Sequence, residues 1–304
     1  MYKIAILGCE NSHANNFLRC IYGNKNEDGS YANIPGVVAT DVEVLGVYSD
    51  EVPAMEKLNA DFGVPMMNNY DDLVGKVDGI VITARHGDNH YKYAKPYLAS
   101  GIPMFIDKPI TVSEEEAVEF MNELKKNNIR ICGGSSCIFM PNIEKYKNYM
   151  ETKELGEVIG GTVRAPIDPD SVYGGFFFYG QHLVQMMSAI FGYFPNSVTA
   201  VEHEKQISCF VNYDTFDVRG VFVRRYYNYF AGVDFEKRSE FEEFGFGDAF
   251  VKEFNEMYHL LQGGEMHQSY EEFFAPVFVL NAIYRSYKNG GKCEKVNRIE
   301  DIKL

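Results

Sequence analysis

The chain has 304 residues, enough for two domains at roughly 100–200 residues each. Hydrophobic residues make up 46% and charged residues 24%, which excludes a disordered or collagen-like chain. The formal net charge of −14 argues against a dedicated nucleic-acid binder, which presents a basic face.

The first part alternates short apolar runs with helical stretches. Lys3 to Leu7 is an apolar run ending at Gly8, followed by a helix from about Ser12 to Ile21. Gly23 to Thr40 is loop-like. A second run, Val42 to Tyr48, ends at Ser49-Asp50, and a helix from about Pro53 to Phe62 has Pro in its first turn. Ile80 to Thr83 lacks polar alternation and is read as buried on both faces. His90 to Ser100 is helical, with Gly101 where a C′ glycine belongs. Pro103 to Ile106 is a fourth run and Ile129 to Cys132 a fifth, with a helix from Ser113 to Asn127 between them. That helix opens on a capping-box pattern. Strands alternating with helices in this way predict a parallel sheet covered on both faces. Such a sheet binds ligands at the carboxyl ends of its strands. Gly8, Ser49-Asp50, Thr83 to His90 and Asp107-Lys108-Pro109 all fall there.

The pattern changes after about residue 134. A helix from Pro141 to Thr152 precedes strand-like stretches at Val158–Arg164, Ser197–His203, Gln206–Tyr213 and Arg219–Tyr229. A helix near Gln181–Phe191 separates the first of these from the rest. Helices near Phe250–Leu261 and His267–Tyr287 close the chain, with Pro276 expected to kink or break the last. The expected fold class is α/β: a parallel-sheet domain over 1–134, then an α+β domain over 135–304 with an open, mostly antiparallel sheet.

The six cysteines form no CxxC pair, so neither a disulfide framework nor a metal site is expected. The N-terminal apolar run is too short for a signal peptide, and no window nears the ~18 apolar residues of a membrane span. A reduced, cytoplasmic protein is expected. The 21 Tyr and 23 Phe, with no Trp, supply core and interface.

Four places carry chemistry. Gly8-Cys9-Glu10-Asn11-Ser12-His13 lies between a strand and a helix, where a dinucleotide fingerprint belongs. Glu10 stands at its second glycine and His13 at its third, while Asn11, Ser12 and the helix amides suit an anion. Asp50 after the second strand suits ribose hydroxyls and opposes a 2′-phosphate, or is a plain helix-start acid. Lys108, beside Asp107, suits an alkoxide formed as hydride leaves; a solvated turn lysine is the simpler reading. His182 suits proton transfer with a hydroxyl; a satisfied core histidine is the alternative, as it is for His86 and His90. His203, His259 and His267 are read as structural or exposed. Neither Lys108 nor His182 is expected in the core.

Together these residues resemble the Gfo/Idh/MocA family of oxidoreductases, which includes glucose–fructose oxidoreductase and inositol dehydrogenase. The resemblance runs through Val77 to Thr83, His90 to Ala94, Leu98 and Gly101. It continues in Ile106-Asp107-Lys108-Pro109-Ile110-Thr111, similar to the family's Glu-Lys-Pro element with Asp for Glu. Glu154 to Val158, Gly180-Gln181-His182 and Ser286 to Gly291 extend it to the C-terminus.

The resemblance implies a Rossmann domain holding a nicotinamide dinucleotide and hydride transfer from a sugar, cyclitol or related polyol; Asp50, with no Arg following it to pair a phosphate, favours NAD over NADP. It implies Lys108 and His182 as catalytic. It implies cofactor contacts from Gly8, Asn11, Ser12, His13, Ser49, Asp50, Thr83, Ala84, His86, His90, Asp107 and Lys108, and substrate contacts from Tyr179, Gln181 and Asp168. A homo-dimer or homo-tetramer follows by the same analogy. The sequence departs from the family at the fingerprint and at Phe178 and Gln185, where relatives often carry Asp around the histidine; Tyr179 or Asp168 is the expected substitute. NAD-dependent elimination of a glycoside and a non-catalytic ligand-binding relative are the alternatives.

Overall fold

The computed structural model describes residues 1–26, 28 and 30–303. The chain condenses into two compact units. The first is Met1–Thr111, Glu119–Gly134 and Phe250–Tyr270; the second is Val112–Val118, Ser135–Ala249 and Glu271–Leu304.

The first unit is built on β1 (Tyr2–Leu7), α1 (Ser12–Tyr22), β2 (Asn24–Lys25), β3 (Tyr31–Ala32), β4 (Val42–Tyr48), α2 (Val52–Phe62), β5 (Gly79–Ile82), α3 (Asp88–Ala94), β6 (Met104–Asp107), α4 (Glu114–Lys126) from Glu119 onward, and β7 (Ile131–Gly134). Five strands form a parallel sheet in the order β4-β1-β5-β6-β7. Ile4 to Leu7, Ile80 to Ile82 and Met104 to Ile106 are buried, as strands covered on both faces must be. The chain leaves β1 toward β4, then crosses back to β5. That reversal opens a crevice at the carboxyl ends of β1 and β5. Gly63 and Gly101 end helical segments in the left-handed conformation. The loop-like segment after α1 contains the short β2–β3 hairpin, whose two-residue strands are too short to show a sequence pattern.

The second unit begins with α5 (Pro141–Thr152), β8 (Val158–Ile167), α6 (Phe176–Phe191), β9 (Ser197–Glu202), β10 (Gln206–Asn212), β11 (Asp217–Arg224), β12 (Tyr229–Phe235) and β13 (Ser239–Phe244). Its sheet runs β13-β12-β8-β11-β10-β9-β14, with β14 at Glu294–Lys295. Only the β8–β11 pair is parallel. The run expected at Arg219–Tyr229 stops at Arg224, because Arg225 turns with φ 57°. The β12–β13 hairpin escaped sequence reading, since β13 is a charge-rich strand at the sheet's edge, where Lys145 pairs with Glu240 and Glu242.

Between them in sequence, α7 (Ala249–Leu261) belongs to the first unit, and α8 (Tyr270–Lys288) belongs, past its first residue, to the second. Phe254, Met257 and Leu260 of α7 share one core with Ile4, Ile6, Phe17, Val81 and Phe105. Sequence reading grouped α7 with residues 135–304, because an amphipathic helix does not say which sheet it covers. α8 runs uninterrupted through Pro276, against the expected break. Phe273, Phe274, Val277, Phe278 and Leu280 are all buried, and that packing outweighs one missing hydrogen bond. α6 likewise starts earlier than expected, at Phe176, whose ring packs against Phe222, Tyr284 and Tyr287.

Candidate active site

In the first unit the strand-end loops meet over Gly8, at φ 80°. A Cβ there would lie 2.3 Å from Ala84 N, so glycine is required by the close approach of the segment after β5. Thr83 Oγ1 donates to Gly8 O at 3.0 Å and ties the two segments. Glu10 is turned into the same framework. Its Oε2 accepts from Ser49 Oγ at 2.7 Å and its Oε1 from Arg85 N at 2.9 Å. A carboxylate where a fingerprint keeps glycine is thus held between the ends of β4 and β5. Asp50 accepts from Tyr48 Oη at 2.6 Å and Tyr93 Oη at 3.1 Å. The Tyr48 bond, ahead of Tyr93 and Lys92, holds its carboxyl below the usual range. Its side chain stays 59% exposed, a fixed negative charge at the end of β4.

Asn11 and His13 face inward. Asn11 Oδ1 caps α1 by accepting from His13 N, and its Nδ2 donates to Asp107 Oδ2 at 2.9 Å. That amide is engaged within the protein, which leaves Ser12, exposed at the helix start, as the side chain available to an anion. His13 Nδ1 pairs with Asp107 Oδ2 at 3.0 Å and lies 3.9 Å from Glu253 Oε2 on α7. Asp107, fully buried, also accepts from Lys108 N at 2.7 Å. The ligand-type atoms of His13, Asp107 and Glu253 lie within 4.8 Å of one another. Asn11 Nδ2 and Lys108 N already donate to the Asp107 carboxylate, and His13 Nδ1 faces it as an ion pair. Burial opposes charge on His13, but Asp107 and Glu253 outweigh it and raise its pKa. Asp107 is held low against burial by His13 and Lys108.

Burial, then Asp107, pushes the Glu253 carboxyl up to about 8. The folded state therefore keeps a proton that the unfolded chain releases near pH ~4.5. Stability from this group is complete below that pH and is lost as pH rises toward 8. Thermal melts between pH 5 and 8 should fall more steeply for the native chain than for Glu253→Gln, which cannot ionise. Parallel curves would show that Glu253 is already charged in the fold.

The remaining residues of this edge divide. Lys108 is buried at the end of β6 and joined to Pro109 by a cis peptide. His90 is fully enclosed, bonded through Nε2 to Ala84 O at 2.8 Å, and burial lowers its pKa. It braces the loop after β5 instead of meeting a ligand. His86 is partly exposed, with Asp88 Oδ2 3.6 Å away.

In the second unit His182 lies in α6, buried. Its Nδ1 meets Ser135 Oγ at 2.6 Å, with Cys137 Sγ at 3.5 Å. Ser135 is itself fixed: Cys137 N donates to its Oγ at 3.1 Å, and its own N–H donates to Gln185 Oε1. The rings of Tyr179 and Tyr229 flank the imidazole at 5.8 and 5.7 Å. Ser135, then, orients the histidine. Asp168 is tied up in its own turn, accepting from Asp170 N at 3.3 Å. Tyr179 supplies a ring face beside the imidazole. Gln181 is fully buried and bonded to Gln185 at 3.3 Å, so it supports the helix. Ser135, Cys137, Tyr229 and Glu253 were missed. Ser135 carried a signal, its place just after a strand, but serine there is too common to single out.

Lys108 and His182 are both buried, at 5% and 4% exposure, contrary to expectation.

A model of an oxidoreductase family with an NAD-binding Rossmann fold matches residues 2–134. No curated protein matches the chain in sequence. Among solved structures the chain is similar to myo-inositol 2-dehydrogenase from Lactobacillus plantarum, at 13% identity over 97% of this chain and 99% of that one, TM-score 0.81. Similar too is scyllo-inositol dehydrogenase from Lactobacillus casei with bound NAD(H) and scyllo-inositol, with the same identity, coverage and TM-score of 13%, 97%, 99% and 0.81. A myo-inositol dehydrogenase from Corynebacterium glutamicum ATCC 13032 is 14% identical over 98% of this chain and 99% of that one, TM-score 0.79. At these identities the likeness establishes the fold.

Proposed function

We propose that the chain, which over residues 2–134 belongs to the Gfo/Idh/MocA oxidoreductase family with its NAD-binding Rossmann fold, is an NAD-dependent dehydrogenase of a cyclitol, sugar or related polyol. The observation that carries this reading is Lys108 behind a fully buried Asp107 at the carboxyl end of β6, the edge where an open α/β sheet binds its ligand. The inositol dehydrogenases of the same fold support the substrate class. In this reading the first unit binds the dinucleotide and the second binds substrate and mediates homo-oligomer formation, in the cytoplasm. Five of the six cysteines are buried and, among the described residues, none is joined in a disulfide, which suits a reducing compartment.

The residues fit the cofactor. Gly8 keeps the loop against Ala84, Glu10 is held by two donors, and the α1 N-terminus carries no acid in its first turn. Gly8, Ser12 and the first amides of α1 would hold the pyrophosphate, and Asp50 the adenosine ribose. NAD supplies the hydride acceptor.

His182 takes the hydroxyl proton. When Ser135 Oγ accepts Nδ1–H, the ring's lone pair is on Nε2, the tautomer a general base needs. The Lys108 ammonium stabilises the oxyanion as the carbinol carbon is oxidised. Tyr179 presents a ring against which the apolar face of a polyol can lie.

The reading is tested by titrating the purified protein with NADH and NADPH, then screening cyclitols and sugars for NADH formation. NADH should bind more tightly, because Asp50 is a fixed charge where a 2′-phosphate would fall, and Asp50→Asn should narrow the preference. Tighter binding of NADPH would remove Asp50 from the ribose. Absence of binding to either nucleotide would overturn the dehydrogenase reading.

A further inference from the structure

We propose that His13 and Glu253 are positioning residues for Lys108, which through Asp107 clamp the turn that carries the lysine. The inference rests on the reading of Lys108 as a group of the reacting site. At the position where a dinucleotide fingerprint keeps its third glycine, this chain carries a histidine, and its ring is buried beside Asp107, Glu253 and Phe250. Asp107 is the hub: Oδ1 accepts from Lys108 N at 2.7 Å, while Oδ2 meets Asn11 Nδ2 at 2.9 Å and His13 Nδ1 at 3.0 Å. The fingerprint loop and the lysine turn are thereby joined through one carboxylate.

Helix α7 completes the arrangement. Phe250 and Glu253 lie three residues apart, on one helix face. The Phe250 ring packs edge-on against His13 at 5.3 Å. Glu253 Oε2 is 3.9 Å from His13 Nδ1. Glu253 is 1% exposed, and among the described residues neither of its oxygens has a hydrogen-bond partner. A buried carboxyl without partners is costly unless nearby charge compensates it. The groups that act on it are His13 from α1 and Asp107 and Lys108 from the end of β6. It in turn acts on the thiols of Cys20 on α1 and Cys132 on β7. Above about pH 8, where Glu253 gives up its proton, two bases and two acids make a cluster that balances its own charge, and removing one member there leaves the others uncompensated. Glu253 enters from about 145 residues beyond the lysine in the sequence, yet it belongs to the same unit.

The experiment uses the full-length, cofactor-free protein with His13→Asn, Glu253→Gln and Glu253→Asp, all close in shape to the native side chains. Hydrogen exchange of the segment 107–111 should speed up about tenfold in His13→Asn and Glu253→Gln, a loss of roughly one hydrogen bond's worth of protection, while α2 is unchanged. Acetic anhydride should modify Lys108 about tenfold faster in Glu253→Gln at pH 9, since loss of a neighbouring negative charge favours the neutral amine. The exposed Lys57 serves as internal reference. Glu253→Asp should restore the native rate in part, which a purely packing role would not produce. Unchanged exchange and unchanged Lys108 reactivity would overturn the proposal. So would one equivalent of a divalent metal in the purified native protein that is lost in His13→Asn. Should His13→Asn fail to fold, Glu253→Gln and Glu253→Asp decide. None of these measurements needs nucleotide, so a failure of the clamp and a failure of NADH binding are separate results.

Discussion

His182→Gln should lower turnover by about 10²–10⁴, the contribution of a positioned acid–base group, and Lys108→Met by about 10²–10³, that of one oxyanion donor. The substrate is the polyol that the NADH-formation screen identifies. Both side chains are buried, so truncation to alanine would mix a cavity with the lost chemistry; Gln and Met keep most of the volume. Ser135→Ala should cost less, up to about tenfold, because of the two hydrogen bonds it removes only the one to His182 Nδ1 bears on the imidazole, worth about 0.5–1.5 kcal/mol, and the ring stays in place. Steady-state kinetics with melting temperatures and NADH affinities measured alongside would separate these effects. Near-native turnover in His182→Gln, with the fold intact, would remove His182 from the reaction and return it to the role of a satisfied core histidine.

Phe254→Ala should destabilise the protein by about 3–5 kcal/mol, the range for deleting a buried aromatic ring. Phe254 is 2% exposed and touches the Phe17 ring at 5.5 Å edge-on, in the core that also holds Ile4, Ile6 and Phe105. Urea unfolding would measure the loss. Val172→Ala, at 85% exposure, should fall within about ±0.5 kcal/mol in the same assay. The corollary is that a fragment ending at residue 134 should not fold stably. It would lack α7, whose Phe254, Met257 and Leu260 cover one face of the parallel sheet. A fragment melting cooperatively near the temperature of the whole chain would contradict this.

The parallel sheet was legible because its central run, β5, has no polar alternation and its helices carry their caps in the sequence: Pro53, Ser113 and Gly101 all fall where the structure uses them. The resemblance read from Asp107-Lys108-Pro109 is matched by the family model over residues 2–134. The open, mostly antiparallel sheet was legible from adjacent strand-like runs without helices between them. Its β12–β13 edge was not, because no glycine or proline punctuates the turn at Arg225 before β12 and the edge strand β13 is acidic.

What the sequence by itself determined is what local interactions encode: element type, the order of elements, and the placing of Gly8, Asp50 and Lys108 at strand ends. What only the tertiary structure decided is which distant groups meet. Ser135 and His182, 47 residues apart, share a hydrogen bond; Glu10 bridges two strand ends; and Glu253 reaches His13 from the far end of the chain. These pairings depend on packing geometry and on the low dielectric of the interior, where an unpaired charge or donor is costly. No residue spacing along the chain records either of them.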